Sequence, residues 1–326
     1  MTGMPLAENL WSDVRKIPTR FGYGDGLVEL GKENPQVVVL GADLSSSLKV
    51  DRFMDSFPDR FIQTGIAEQD MTNLAAGLSL VGKIPFVSTY GVFCTGRAWD
   101  QLRTTVAYGG LNVKIGSGHG GISVGPDGAT HQALEDIAIT RTIPGMTVIA
   151  PCDYHETVKA VKAAAAIEGP VVIRFGREKV PVVTTPETPF EVGKAEIFRE
   201  GSDVAILACG VMVYEALKAA RILEEEGVSA RVINCHSVKP MDIRTVVDSA
   251  LETGAVVTAE EHQVMGGFGS AVAEVLCRHA PVPLRMVGIQ DVFGQSGSPE
   301  ELMETYGLTA EAVAEAVRDV LEAKGR

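Results

Sequence analysis

Short runs of β-branched and other apolar residues alternate along the chain with longer segments of helical periodicity. This alternation is typical of parallel βα units, in which each strand is followed by a crossover helix. The apolar runs predict strands at residues 36–41, 84–90, 112–116, 147–150, 170–175, 203–209, 229–234, 255–259 and 284–289. The periodic segments predict helices at residues 67–80, 96–108, 154–168, 214–226 and 309–324. This order of elements predicts an α/β protein.

Two sequence signals predict where helices begin. Asp153 with Glu156, and Ser298 with Glu301, have the spacing of a capping box, in which each side chain satisfies a free backbone amide of the first turn. Pro299 follows Ser298 at the first helical position, where the backbone amide has no helical partner in any case. The second signal therefore predicts a further helix that begins at Pro299.

One segment lacks both kinds of periodicity. Residues 176–201 are rich in proline and threonine, which favour turns and loops. We place a domain boundary there, with a first domain at residues 1–190 and a second at residues 191–326. A length of 326 residues agrees with two domains of ordinary size. We predict two doubly wound domains, a larger one with a parallel sheet followed by a smaller α/β domain.

The composition excludes several classes of protein. A net charge of −13 argues against nucleic acid as a partner. Five isolated cysteines without a CxxC pair support neither a disulfide framework nor a zinc site. The N-terminal segment lacks the apolar core of a signal peptide, and no apolar run approaches the roughly 18 residues of a membrane span. We therefore expect a cytoplasmic protein without a membrane partner.

A glycine-rich loop after the third predicted strand contains the pattern G-x-G-x-x-G, at Gly116, Gly118 and Gly121. A dinucleotide site needs a helix that opens directly from such glycines, so that its first amides face the pyrophosphate. Here about ten loop residues, including Pro126, follow before a helix can begin. The chain also lacks the G-x-x-x-x-G-K-[ST] pattern of a P-loop. Neither nucleotide motif explains this loop.

Three stretches combine residue types that carry chemistry. All three lie at the loop ends of the first domain's strands, which is the edge where parallel α/β sheets bind ligands. An acidic pair, Glu68 and Asp70, opens an otherwise apolar helix, and aromatic residues cluster between Tyr90 and Trp99. Two histidines and an aspartate lie in the glycine-rich loop, at residues 119–132. Taken singly, helix-dipole compensation would explain the acidic pair, an ordinary core would explain the aromatic residues, and burial or capping would account for the histidines.

Four motifs then occur in the order and spacing of one family. They are ADLSSS at residues 42–47, GIAEQDM at 65–71, VGPDGATHQ at 124–132 and RFGRE at 174–178. With them the chain resembles the C-terminal portion of transketolase over nearly its whole length. The resemblance implies a pyrimidine-binding domain followed by the transketolase C-terminal domain. It also implies transfer of a two-carbon ketol unit from a ketose phosphate to an aldose phosphate, in the pentose phosphate pathway.

The resemblance implies a set of residues that bind thiamine diphosphate. Glu68 matches the catalytic glutamate that hydrogen-bonds the aminopyrimidine ring and promotes deprotonation of the thiazolium carbon, which is acid–base catalysis relayed through a cofactor. Tyr90 and Phe93 match the aromatic walls around the pyrimidine, and Leu44 matches an apolar contact to the thiazolium. A third aromatic residue of many transketolases is not evident, because Arg97 and its neighbours occupy that stretch.

The resemblance also implies a channel for a sugar phosphate. Asp127 and His131 would hydrogen-bond the hydroxyl groups at the carbonyl end of the donor, with His131 taking part in catalysis. His119, Ser47 and Arg177 would hold the phosphate at the far end. Arginine suits this task, because its planar guanidinium can bind two phosphate oxygens at once.

The sequence shows no motif for the half of the cofactor site that binds the diphosphate. Complete transketolases carry a G-D-G motif and a downstream asparagine that hold the diphosphate through Mg²⁺ or Ca²⁺. Gly24, Asp25 and Gly26 form such a triplet, but no apolar strand precedes it and Asn34 follows too closely, so we interpret it as a chance match. We predict no metal ligand on this chain. An N-terminal transketolase subunit would supply the missing domain, in an α2β2 heterotetramer.

Several alternatives share these features. A deoxyxylulose-phosphate-synthase-like enzyme or a specialised sugar-phosphate transketolase would carry similar motifs. The β subunit of a 2-oxo-acid dehydrogenase has the same two domains, although His119, Ser47 and Arg177 favour a sugar phosphate over an oxo acid. A non-catalytic binding subunit would not need Glu68. For Arg174, a structural and a substrate-facing role both stay open.

The second domain offers a weaker signal. Glu260, Glu261 and His262 precede a glycine-rich turn at residues 266–269, which could bind an anion at the start of a helix. The resemblance implies no cofactor in this domain. We therefore expect these residues to serve packing and assembly.

Overall fold

The computed structural model describes residues 3–325 and contains two large, mainly parallel β-sheets with helices on their faces. The first part of the chain forms β1 Lys16–Pro18, α1 Thr19–Glu33, β2 Val37–Gly41, α2 Ser45–Leu48, α3 Asp51–Ser56, β3 Phe61–Gln63, α4 Glu68–Leu80, β4 Ile84–Tyr90, β5 Lys114–Gly118, α5 Asp136–Arg141, β6 Thr147–Ile149, α6 Tyr154–Ala166, β7 Val171–Arg174 and β8 Lys179–Pro181. The second part forms β9 Glu196–Arg199, β10 Val204–Ala208, α7 Met212–Glu225, β11 Ala230–Asn234, β12 Ser237–Lys239, α8 Ile243–Thr253, β13 Val256–Gln263, α9 Phe268–His279, β14 Leu284–Ile289, α10 Pro299–Thr305 and α11 Ala310–Lys324. Short 3-10 helices lie at Pro58–Arg60 and Ile122–Asp127, and π-helical segments at Val92–Arg97 and Gln101–Ala107.

The first sheet has seven strands in the order β12-β6-β7-β5-β4-β2-β3. Its neighbouring strands are parallel, except for β12, which is antiparallel to β6. The inner strands β2, β4, β5 and β7 are buried almost throughout, because helices cover both faces of the sheet. Strands of this kind consist of nearly continuous apolar residues, which explains why the sequence pattern located them.

The second sheet has five strands in the order β14-β13-β10-β11-β9, of which only β9 is antiparallel to its neighbour. Successive residues of β10 point to opposite faces. Ile206 packs in a core with α7 and α11, whereas Leu207 packs in a core with α8 and α9. Helices therefore cover both faces of this sheet as well, and the predicted α/β fold class is confirmed.

The Gly24-Asp25-Gly26 triplet lies inside helix α1, not in a phosphate-binding loop. A Cβ atom on Gly24 would overlap the backbone carbonyl of Lys49, and one on Gly26 would come within 3.1 Å of the Cβ of Val161 in α6. Glycine therefore lets α1 pack closely against its neighbours. Helix packing explains the triplet, as expected for a chance match.

Some local predictions were wrong or incomplete. The helix predicted at residues 96–108 begins earlier and contains the two π-helical segments Val92–Arg97 and Gln101–Ala107. The capping box at Ser298 is confirmed. At Asp153 only half of the box forms, because the Glu156 carboxylate accepts from the backbone amide of Cys152 instead.

None of the helices within residues 3–325 has the length and apolar character that a membrane span requires.

Candidate active site

The carboxyl ends of the first sheet's parallel strands carry the residues that the sequence singled out. Leu44 and Ser47 follow β2, Glu68 follows β3, Tyr90 ends β4 with Phe93 just beyond it, His119 follows β5, with Asp127 and His131 further along the same loop, and Arg177 follows β7. The strand order places β3, β2, β4, β5 and β7 side by side, so these loops share one edge of the sheet. Parallel α/β sheets bind their ligands at this edge.

Ser47, Tyr90 and His119 form the tightest group. The ring of His119 stacks on Tyr90 with centroids 3.7 Å apart, and the two hydroxyl oxygens of Ser47 and Tyr90 share a hydrogen bond of 2.8 Å. The Ser47 Oγ also lies 3.3 Å from His119 Nε2. His119 has a φ of +56°, a left-handed conformation that the following glycine-rich chain accommodates. The three side chains hold each other in one orientation.

Burial controls the charge of His119. Its side chain is fully buried, which disfavours the imidazolium and lowers its pKa to about 3. Positive charge on Arg20, Arg177 and His131 lowers this pKa further. His119 is therefore a neutral ring at physiological pH. Its Nδ1 is buried and has no hydrogen-bond partner within residues 3–325.

His131 and Phe93 extend this group toward the solvent. The His131 ring meets the edge of Phe93 at a centroid distance of 5.5 Å and of Tyr90 at 6.0 Å. Its Nδ1 lies 2.8 Å from the hydroxyl of Thr130, which fixes the plane of the ring. Leu44, which is half-buried, packs against the core that contains Tyr90. Aromatic and apolar surface thus lines one side of the site.

Glu68 joins the aromatic wall through Arg97. The Glu68 side chain is buried at the first turn of α4, and Arg97 Nη1 donates to its Oε2 at 2.8 Å. The same guanidinium lies over the ring of Phe93, 4.6 Å from its centroid, in a cation–π contact. Arg97 therefore lies where the resemblance would place a third aromatic residue of the pyrimidine pocket.

Arg177 and Asp127 form an ion pair at the other side of His119. The Arg177 Nη1 lies 3.0 Å from Asp127 Oδ2 and also donates to the carbonyl of Val124. Sequence reasoning missed Arg20, which donates from Nη1 to the Ser47 carbonyl at 2.9 Å. Its buried Nε has no hydrogen-bond partner within the described residues. Arg20 is close enough to Arg177 for the two charges to interact, so the site contains a second guanidinium.

Arg174 has a structural role. Its Nε donates to Asp136 Oδ2 at 2.9 Å, and its Nη2 donates to the carbonyls of Ala133 and Glu261. Arg174 is only 7% exposed, and the negative charges of Asp136 and Glu261 raise the pKa of its guanidinium despite burial. The two arginines of the RFGRE motif therefore differ, with Arg177 in the site and Arg174 inside the protein.

The residues present fit the pyrimidine half of thiamine diphosphate. An aminopyrimidine needs a carboxyl group at its ring nitrogen and an aromatic surface beside it. Glu68 and Phe93 are groups of these two kinds, and Arg97 contacts both of them. The buried Nδ1 of His119 and Nε of Arg20 have no hydrogen-bond partner within the described residues, so both are available to hydrogen-bond a bound anion. The donor set agrees with this cofactor and with a phosphorylated substrate.

Two family models match the chain, the transketolase pyrimidine-binding domain at residues 15–183 and the transketolase C-terminal domain at residues 193–313. The chain belongs to the transketolase family. The predicted family membership is confirmed, and the family as a whole consists of thiamine-diphosphate-dependent transferases.

Similar proteins include separate transketolase subunits. A putative transketolase C-terminal section of Methanocaldococcus jannaschii is 45% identical and covers 93% of this chain and 96% of its own length. A 6-deoxy-6-sulfo-D-fructose transketolase subunit of Clostridium sp. is also 45% identical, over 93% of this chain and 94% of its own. A solved structure described as a split gene transketolase, inactive beta4 tetramer, is 53% identical with a TM-score of 0.89, over 94% of this chain and 99% of its own. This chain is therefore a split-transketolase-like subunit.

Proposed function

We propose that this chain is the C-terminal subunit of a split transketolase that transfers a two-carbon ketol unit from a ketose phosphate to an aldose phosphate. The observation that carries the proposal is the contiguous group of Ser47, Tyr90, His119 and His131, flanked by Glu68 on one side and Arg177 on the other. A carboxylate, an aromatic wall and guanidinium groups then follow one another along one sheet edge, in the order that a cofactor and a phosphorylated sugar require.

Thiamine diphosphate, when bound, supplies the electron sink that lets a carbon–carbon bond of the donor break. Glu68 would hold a proton at the aminopyrimidine, because its buried carboxyl lies at the rim of the aromatic wall. Tyr90 and Phe93 would pack on the ring and exclude water. These three residues, together with Leu44 at the thiazolium, would form this chain's share of the cofactor site.

The remaining residues would bind the sugar. Asp127 and His131 would hydrogen-bond the hydroxyl groups near the carbonyl, and His131 can accept or donate a proton there, because Thr130 engages only its Nδ1. Ser47, His119 and Arg177 would hold the phosphate. Neutral His119 serves as a hydrogen-bond donor, so the positive charge comes from the arginine. Each charged hydrogen bond contributes about 1.5–3 kcal/mol.

A partner subunit would carry the diphosphate and the metal ion, Mg²⁺ or Ca²⁺. Large apolar side chains are exposed at both ends of α4, with Ile66 at 74% just before the helix, near Glu68, and Leu80 at 73% at its far end. Tyr108, at 91%, follows the π-helical segments that pack on the same helix. An exposed apolar surface of this kind favours a protein interface. We propose an α2β2 heterotetramer, with the cofactor between the two kinds of chain.

Reconstitution tests the proposal. The chain should be co-purified with a polypeptide that carries the missing domain, then supplied with thiamine diphosphate, Mg²⁺, a ketose phosphate and an aldose phosphate. Two-carbon exchange is expected from the complex and not from the chain alone. Turnover with pyruvate only would contradict the proposal. Because one relative is named for a sulfonated fructose, a 6-deoxy-6-sulfo ketose belongs in the donor panel.

A further inference from the structure

A buried carboxylate of the second sheet contacts the loop that carries the proposed substrate residues. Glu261 lies on β13 and is 3% exposed. Its Oε1 accepts a hydrogen bond of 2.6 Å from the backbone amide of Ser123. Ser123 belongs to the short helix Ile122–Asp127, which ends at the proposed substrate ligand Asp127. One hydrogen bond therefore connects the second domain to the candidate site of the first.

The loop approaches this carboxylate closely at Gly121 as well. Gly121 has a φ of +95°, and a Cβ atom there would overlap the carboxyl group of Glu261. Any side chain at Gly121 would thus be strained and would collide with Glu261. The loop therefore passes directly over the carboxyl group.

The surrounding contacts hold Glu261 and the loop together. Arg174 donates from Nη2 to the carbonyls of both Glu261 and Ala133, so the strand and the far end of the loop share one guanidinium. Gln132 donates from Nε2 to the carbonyls of Ile122 and Gln295, the second of which lies in the second domain. Along the chain, Asp127 and His131 lie between Ile122 and Ala133, the two loop residues whose carbonyls accept these hydrogen bonds.

We propose that Glu261 is a positioning residue for substrate binding, which sets the conformation of the loop that presents Asp127 and His131. The inference rests on the proposed function for its substrate. It gives the second domain a part in the site beyond packing and assembly, because a carboxylate on its sheet determines where first-domain side chains point.

The chain offers a matched control next to Glu261. Glu260 is also buried, and its carboxylate also accepts two backbone amides, from Phe268 at 2.6 Å and Gly269 at 2.7 Å. These amides belong to the start of α9 and not to the loop. Replacement of either glutamate disturbs a buried carboxylate of the second domain, but only Glu261 contacts Ser123.

The experiment compares Glu261→Ala, Glu261→Gln and Glu260→Gln in the reconstituted complex. Loss of a charged acceptor for a buried amide should raise KM for the ketose phosphate roughly tenfold or more in Glu261→Ala, with a smaller fall in kcat. Glu261→Gln keeps an oxygen for the Ser123 amide and should recover most of this loss. Glu260→Gln should leave KM unchanged, even if it lowers stability by a similar amount.

A second measurement does not depend on turnover. Hydrogen exchange of the isolated chain should be faster at residues 121–127 in Glu261→Ala than in Glu260→Gln. If the wild-type complex transfers no two-carbon units, the proposed function fails, and the exchange result still decides whether Glu261 orders the loop. Equal KM changes in Glu261→Ala and Glu260→Gln, or unchanged exchange at Ser123 in Glu261→Ala, would overturn the inference. If Glu261→Ala does not fold, Glu261→Asp, which retracts the carboxylate, replaces it with the same expectations.

Discussion

The carboxyl-end edges of the two parallel sheets have opposite uses in this molecule. At the edge of the first sheet, Phe93, His131 and Arg177 are only half-buried and Asp127 is exposed. At the corresponding edge of the second sheet, the side chains are buried against the first domain. There Asn234, which ends β11, donates from Nδ2 to Glu156 Oε1 at 2.6 Å. One edge is open to a ligand, and the other forms the interface between domains.

This difference shows how little the topology alone determines. Both sheets are doubly wound, and in both some of the parallel strands end in polar residues, such as Arg174 of β7 and Asn234 of β11. The first edge carries aromatic rings, a neutral histidine and an arginine next to one another. The second edge carries buried polar and charged groups that hydrogen-bond to residues of the first domain. Function therefore resides in the loops and their neighbours, not in the fold class.

The largest effect is expected at Glu68. Glu68→Gln keeps the size of the side chain and a bond to Arg97, so the protein should fold normally. Turnover of the reconstituted complex should fall by roughly 10²–10⁴-fold, because an amide cannot hold the shared proton. The measurement is steady-state two-carbon transfer with saturating cofactor. Asp70→Asn, two residues further along the same helix and exposed, is the control and should keep normal activity. A normal rate in Glu68→Gln would remove Glu68 from the mechanism.

The next effect concerns stability at the interface between domains. Arg174→Met should lower the free energy of unfolding by about 3–5 kcal/mol, because it leaves the buried carboxylate of Asp136 without its cation. Chemical denaturation of the purified chain measures this change. The double variant with Asp136→Asn should recover part of the loss, since the charge is then removed as well. A single variant as stable as the wild type would show that the buried pair is not needed.

Arg177→Ala provides the contrast within the same sequence motif. Its ion pair with Asp127 is partly exposed, so the free energy of unfolding should change by less than about 1 kcal/mol. KM for phosphorylated sugars should rise by roughly 10–100-fold, as expected for one or two lost charged hydrogen bonds. Unphosphorylated acceptors should be affected far less. Lys179→Ala, a nearby exposed cation, is the control. Equal effects on both classes of sugar would contradict the phosphate role.

The sequence predicted the inner strands well and the interface poorly. Strands β4 and β14 have the predicted bounds, because continuous apolar runs follow from burial on both faces. Strand β12 was missed, since three residues are too few to show a pattern, and it follows β11 in the chain but joins the first sheet. The π-helical segments share their apolar composition with ordinary helices, so periodicity could not distinguish them.

The candidate site shows the same limit. The motifs indicated Glu68 and Arg177, and the glycine-rich loop indicated His119. Arg20 lies in no motif, and only the structure shows it beside Ser47. The roles of Arg174 and Arg177 could not be separated from the sequence. They depend on Asp136 and Glu261, which approach from distant parts of the chain.

The smallest effect is a pH dependence that originates at the interface. Burial lowers the pKa of His262 to about 4, while its Nε2 accepts from the amide of Ile137 at 3.1 Å. In the unfolded chain this histidine has an ordinary pKa of about 6.5 and binds a proton first as the pH falls. Its contribution to stability is therefore complete above about pH 6.5 and is lost progressively between pH 6.5 and 4.

His262→Gln should reduce this slope, since glutamine does not titrate, although it lowers stability at neutral pH by removing packing and an acceptor. The check is the free energy of unfolding from urea titrations at several pH values between 4 and 8. His279→Gln, at the end of α9, is the control and should keep the wild-type slope. If His262→Gln retains the full slope, another group carries the pH dependence. His119, whose pKa burial lowers to about 3, is then the next histidine to replace, and its loss would tie acid sensitivity to the open edge instead of the buried one.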